Sequence, residues 1–181
     1  MAHLTLSEGR ASLKREGGRW ANEAELMAFV ELLFFAYRDF TSDPDQVLAP
    51  LGFGRAHHRV LHFVERYPGL RVADLLTILK ITKQSLSRVL GVLIEKGFIT
   101  QEAGESDRRE RRLYTTPKGR KLARELAAPQ MHRISAALRQ SGLESPDRAR
   151  AFLYNMVSPE ERDAVSALMR GAARAGDGNE R

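Results

Sequence analysis

The strongest constraint on the fold is a change of period at Gly97. Before it, Val72, Leu75, Leu76 and Leu79 follow the i, i+3, i+4, i+7 spacing of a short helix. Leu86, Val89, Leu90, Leu93 and Ile94 then cluster on one side of a longer helix, for which Thr82 is a good N-cap and Gly97 the stop. After Gly97 the helical period is lost. GFITQEAG and RRLYTT are short segments rich in Thr, Ile, Phe and Tyr, joined by an arginine-laden stretch, and they predict a β-hairpin directly behind the helix.

A preceding helix carries Val60, Phe63, Val64 and Tyr67 on one face and closes at Pro68-Gly69. Three short helices with tight connections make a helix-turn-helix, and the hairpin makes it a winged one. Upstream, residues 1–22 are polar and glycine-punctuated, an extended arm with Trp20 as its only anchor. From Glu23 to Thr41 the apolar positions Leu26, Val30, Leu33, Tyr37 and Phe40 form a helix seam. Phe29, Phe34 and Phe35 widen that seam beyond what one partner helix covers. Asp43-Pro44 ends the helix, and Pro50-Leu51-Gly52 reads as a linker.

Downstream, Thr116-Pro117 opens a helix with proline at its first position, and Leu122, Leu126, Ile134 and Leu138 carry its stripe past a kink expected at Pro129. Ser145-Pro146-Asp147 opens another, with Phe152, Leu153, Met156 and Val157 on its apolar face. Ser158 to Glu161 reads as a capping box for a last helix through Val165, Leu168, Met169 and Ala172; from Gly171 onward the composition suggests a disordered tail.

The expected fold is therefore mainly α with a small β-hairpin wing: a winged helix-turn-helix plus N- and C-terminal helices whose apolar stripes need partners, dimerisation helices if the partner is a second copy. The expected division is an arm at 1–22, a dimerisation or support helix at 23–52, the winged helix-turn-helix at 53–120, dimerisation helices at 121–174 and a flexible tail at 175–181.

Charge supplies the first functional argument. The chain of 181 residues carries a net +6. Between Arg71 and Arg124 there are 13 basic and 6 acidic residues, so all the excess positive charge sits in that central third. Such asymmetry points to a polyanion-facing surface. Within it, the solvent side of the third helix presents Lys83, Gln84, Ser87, Arg88 and Gly91, without a carboxylate among them. Major-groove readout needs this chemistry, because Arg and Lys reach guanine acceptors and Gln pairs bidentately with adenine. Gly91 costs the helix about 1 kcal/mol against alanine, a cost that close approach to a DNA backbone would offset.

In GESDRRERRLY four arginines, Arg108, Arg109, Arg111 and Arg112, occupy five positions. Narrow minor grooves have enhanced negative potential and attract inserted arginine. The candidate DNA contacts are Thr82, Lys83, Gln84, Ser85, Ser87 and Arg88 on the helix and Arg108, Arg109 and Arg111 on the wing. Asp107 is expected to orient a neighbouring guanidinium through a bidentate pair. The alternative, that Asp107 and Glu110 merely neutralise a mobile loop, is the weaker one, since the arginines outnumber them.

Other function classes are disfavoured. There is no cysteine, which excludes disulfides, cysteine-ligated zinc and thiol-based redox sensing. No glycine-rich phosphate loop, nucleophile elbow or pocket-forming carboxylate pair is present, so no enzyme activity and no cofactor are expected. No apolar run approaches the roughly 20 residues of a membrane span, and the N-terminal residues lack the order of a signal peptide; a cytoplasmic protein without membrane contact is the expectation. His58 and His62, spaced i, i+4, could chelate a metal, but structural histidines are the stronger expectation.

The block from Leu70 to Leu122 resembles the multiple-antibiotic-resistance regulator (MarR) family of bacterial winged-helix transcription factors. The family's wing pattern Asp-x-Arg is matched by Asp107 and Arg109, and its Leu-Thr-x-x-Gly-Arg by Thr116, Gly119 and Arg120. Thr115 stands where the family usually has leucine. The resemblance implies a homodimer, built from N- and C-terminal helices, that binds double-stranded DNA at pseudo-palindromic operators. Each third helix would enter a major groove and each wing the neighbouring minor groove. It further implies a small anionic or phenolic ligand in a cleft, for which Tyr37, Arg38, His58, Arg59 and His62 are the candidates. Ser141 to Val157 reads as a helix that typical members lack. The alternative function is a winged-helix module that docks protein or coats DNA nonspecifically, without an effector.

Overall fold

The computed structural model describes residues 21–104 and 110–177. The chain divides into two compact units, one ending at Asp39 and one beginning at Phe40.

The N-terminal unit is built on helix α1 (Glu23–Ser42), whose last turn enters the second unit. Asn22 caps it reciprocally: the Glu25 amide donates to Asn22 Oδ1 at 3.0 Å and the Asn22 amide donates to Glu25 Oε2 at 2.6 Å. The helix buries none of its residues, and Leu26, Phe29, Val30, Leu33, Phe34 and Tyr37 are each 40–70% exposed. A stripe of that size left in water is the mark of an interaction surface.

The second unit begins with a packed corner. The 50–52 segment expected as a linker is part of it: helix α2 (Asp45–Leu48) runs into a 3-10 turn (Ala49–Leu51), and Leu48 is buried. Gly52 at φ +67° closes the turn, so the Pro-Leu-Gly signal marked a turn's end and not a free connection. Helices α3 (Arg55–Arg66), α4 (Val72–Leu79) and α5 (Lys83–Glu95) follow. Their apolar faces bury Val60, Leu61, Val64, Leu75, Leu79, Leu86, Leu90 and Leu93 in one core, closed by Phe53, Phe98, Ile99, Leu113, Leu122 and Leu126.

The sheet has three strands and not two. Strands β2 (Ile99–Ala103) and β3 (Arg111–Thr115) form the expected hairpin, with Ile99 opposite Thr115 and Ala103 opposite Arg111. Strand β1 (Leu70–Arg71) adds antiparallel to the other edge of β3, giving the order β1-β3-β2. Two residues carry no readable alternation, which is why this strand was not legible in sequence.

Helix α6 (Pro117–Gln140) continues through Pro129. Its second half is tied to the end of α1: Arg133 donates twice to the Asp43 carboxylate, at 2.6 and 2.7 Å, and Gln130 Nε2 donates to the Phe40 carbonyl at 3.0 Å. Helix α7 (Pro146–Asn155) starts at Ser145, whose hydroxyl accepts from the Asp147 amide, and leaves Phe152, Leu153 and Met156 exposed. Before the last helix, α8 (Arg162–Asp177), comes a 3-10 turn (Pro159–Glu161). The capping box expected there is absent, because Ser158 makes no side-chain cap bond and the turn closes through its carbonyl. The tail expected from Gly171 is also corrected: α8 runs to Asp177, where the alanines at 172, 173 and 175 favour continued helix. No helix among the described residues is long and apolar enough to cross a membrane.

Candidate nucleic-acid interface

Helix α5 begins where the sequence places it. The Thr82 hydroxyl accepts from the Ser85 amide at 3.2 Å and donates to Ser85 Oγ at 2.9 Å, so both hydroxyls lock the first turn. With Leu86, Val89, Leu90 and Leu93 pinned in the core, Lys83, Gln84, Ser87, Arg88 and Gly91 are all exposed on the opposite side. An added Cβ on Gly91 would meet nothing within 4 Å, so no internal packing requires this glycine. The first carboxylate on that face, Glu95, comes only at the helix end.

The far end of α5 is fixed by the start of α6. The helix stops in a Schellman arrangement at Gly97, φ +73°, with the Phe98 amide donating to the Leu93 carbonyl at 2.8 Å and the Gly97 amide to Ile94 at 2.9 Å. Thr116 then closes over it. Its hydroxyl donates to the Gly97 carbonyl at 2.7 Å and accepts from the Gly119 amide at 3.0 Å, while its amide donates to the Phe98 carbonyl at 3.0 Å. Lys118 donates to the Lys96 carbonyl at 2.8 Å and sits 4.3 Å from the centre of the Phe98 ring. The Thr-x-x-Gly motif is thus a clamp that holds both ends of the hairpin against the C-terminus of α5.

The base of the wing is held by ions. Arg71 donates to Asp74 through Nε and Nη2, both at 2.7 Å, and to Glu110 through Nη1 at 3.1 Å. Glu110 also pairs with Arg112 at 3.8 Å. These hydrogen bonds hold the Asp74 carboxyl below the usual carboxylate range, chiefly through Arg71. Glu110 therefore braces the hairpin against α4 through β1, where the sequence suggested only a neutralising charge, because Arg71 lies 39 positions away. Arg112 is half-buried in this network, and the Gly104 amide closes the ladder on the Glu110 carbonyl at 3.1 Å. Arg111, next along β3, is exposed. Asp107, Arg108 and Arg109, which follow β2 and precede β3 in sequence, lie outside the described residues.

The residues expected at a ligand site fall in both units. In the first, Arg38 pairs with Asp39 at 2.8 Å and lies over the Phe35 ring at 5.1 Å, while Tyr37 is exposed. In the second, Arg59 donates to the Leu79 carbonyl at 3.3 Å, and His58 meets His62 edge to face at 6.3 Å. His58 is buried, and that burial holds its pKa below the ordinary value. Among the described residues no group of three or more His, Asp or Glu is placed to hold a metal ion. Thr115, at the family's usual leucine, donates its hydroxyl to Glu65 Oε2, so a polar pair stands where a packed side chain would be.

Comparison with known proteins agrees with this geometry. A model of the MarR family matches residues 51–110. The HTH-type transcriptional regulator PetP of Rhodobacter capsulatus is 45% identical over 140 residues, 77% of this chain and 84% of PetP. The fold is shared with a mutant MarR from E. coli complexed with operator DNA (TM-score 0.56, 17% identity, 77% of this chain and 100% of that one). It is shared also with a MarR family protein of Mycobacterium tuberculosis complexed with p-aminosalicylic acid (TM-score 0.50, 25% identity, 71% and 97%).

Proposed function

The chain belongs to the MarR family of transcriptional regulators, and from that premise we propose that it binds pseudo-palindromic operator DNA as a homodimer. The observation that carries this reading is the exposed face of α5 from Lys83 to Gly91, free of carboxylates and clamped to the wing through Thr116 and Gly119. Lys83, Gln84, Ser87 and Arg88 read base edges in the major groove, where Arg supplies a bidentate donor pair to guanine and Gln a donor and acceptor to adenine. Thr82 and Ser85 contact phosphate at the helix start. Arg108, Arg109 and Arg111 reach the adjacent minor groove or its phosphates, with Asp107 fixing one guanidinium. Residues 53–120 form the DNA-binding part.

Dimerisation uses the exposed stripe of α1 together with the helices between 121 and 174, and two-fold symmetry sets two half-sites about one helical turn apart. The E. coli operator complex supports the DNA target, and the p-aminosalicylic acid complex supports control by a small molecule. The protein acts by binding, not by catalysis. Selection of bound duplexes from a random pool tests the reading: an enriched inverted repeat, bound by two chains, is expected. Recovery of unselected sequences with equal affinity would instead indicate nonspecific coating.

A further inference from the structure

The outer half of the wing has no hydrophobic anchor. Ile99 is buried, but the four residues of β2 that follow it are exposed, and in β3 Leu113 alone is buried. A two-stranded ribbon without an apolar face is marginally stable in water. Strand β1 reaches only Leu113 and Arg112, through Leu70 and Arg71. What fixes the ribbon beyond that register is ionic. Arg71 spans from the first turn of α4 to the wing, with Nε and Nη2 donating to Asp74 and Nη1 to Glu110.

The network is closed in charge. Arg71 and Arg112 supply two cations, and Asp74 and Glu110 two anions. Each Glu110 oxygen has its own guanidinium, Oε1 with Arg71 at 3.1 Å and Oε2 with Arg112 at 3.8 Å. A free carboxylate on this surface would repel phosphates, whereas one paired twice within the protein is largely compensated before DNA arrives. Asp74 stands on α4, whose Leu75 and Leu79 share one core with Leu86 and Leu90 of α5. The bracket therefore ties the outer ribbon to the helix-turn-helix, as Thr116 and Gly119 tie its base.

We propose that Arg71 and Glu110 are positioning residues for DNA recognition: by holding the wing against α4, a carboxylate on a basic surface strengthens operator binding. The proposal rests on the regulator reading above. Arg71 serves by shape as well as charge. A lysine ammonium is a point charge and cannot grip Asp74 with two donors while reaching Glu110 with a third in the same plane.

The test is a sign. If Glu110 were only a neutralising charge, Glu110→Gln would raise affinity for every duplex, because an anion leaves a phosphate-facing surface. The bracket predicts the reverse on the selected operator, a loss of at least about threefold in Glu110→Gln and in the charge-conserving Arg71→Lys. Random duplex should bind Glu110→Gln no more weakly than the native chain. The double variant should lose no more than the larger single loss, as expected of two partners in one contact. Melting temperatures should move little, since exposed ion pairs contribute little to global stability.

Without DNA, amide hydrogen exchange in β2 and β3 should quicken at least about threefold in either variant, while exchange in α3 stays level. Operator affinity raised in Glu110→Gln, native affinity in Arg71→Lys, or unchanged wing exchange would overturn the assignment. A native chain that prefers no sequence would defeat the regulator reading instead, and wing exchange would still report whether the bracket holds the ribbon.

Discussion

A Cβ added to Gly119 would lie 1.9 Å from the carbonyl oxygen of Phe98. The first turn of α6 thus rests directly on the backbone that leaves the recognition helix, and only a residue without a side chain permits it. That contact joins the two surfaces assigned to DNA.

Gly119→Ala is accordingly expected to destabilise the protein by about 2 kcal/mol or more, since the obstacle is backbone and cannot rotate away. Operator affinity should fall further than instability alone explains, because the wing and α5 lose their common anchor. Urea unfolding beside DNA titration at a temperature where the variant is folded separates the two effects. Normal stability in the variant would contradict the geometry.

Arg109→Ala should weaken operator binding and lower the log–log salt slope by about one unit, the counterion release of one phosphate contact. The measurement is affinity across a salt series. An unchanged slope and affinity would remove Arg109 from the interface.

Acidification should cost stability before any aspartate protonates. Burial lowers the pKa of His58 in the folded state, with neighbouring His62 adding to the effect and Asp45 opposing it. Unfolded, the imidazole titrates near about 6.5. Below that value the unfolded chain takes up the proton first, so stability is full above it and declines as pH falls towards the folded value. Asp43, Asp45 and Asp74, each held low by an arginine, resist until a more acid range. Melting temperatures between pH 7.5 and 5.5 should fall in the native chain and fall less steeply in His58→Gln, the remaining slope coming from His57 and His62, which burial also holds low. Identical slopes would place the titration elsewhere.

Much of this was legible in sequence because it is local. Thr82 caps the helix it was expected to cap, and the helix expected to open at Thr116-Pro117 does so, with Thr116 as its cap. Gly97 marked a stop that a left-handed turn now explains. The polar face of α5 followed from the 100° winding alone, and Lys83, Gln84, Ser87 and Arg88 are all exposed. What escaped depends on distance along the chain. The Arg71–Glu110 brace spans 39 positions and needs the register of a two-residue strand. Thr116 and Gly119 were recognised as a motif, but their partners Gly97 and Phe98 lie across the whole hairpin. The segment at 50–52 and the end of α8 misled because proline and glycine mark both loops and the ends of packed turns.

The central claim is that one helix face reads sequence, and Arg88→Ala tests it most directly. Affinity is measured for the selected operator and for random duplex, with native chain and variant at the same salt. The native protein should prefer operator by on the order of 10³ or more. The variant should lose about 1–3 kcal/mol on operator at one base position, and much less on random DNA. Equal losses on both would make Arg88 a phosphate contact and contradict base reading by that face.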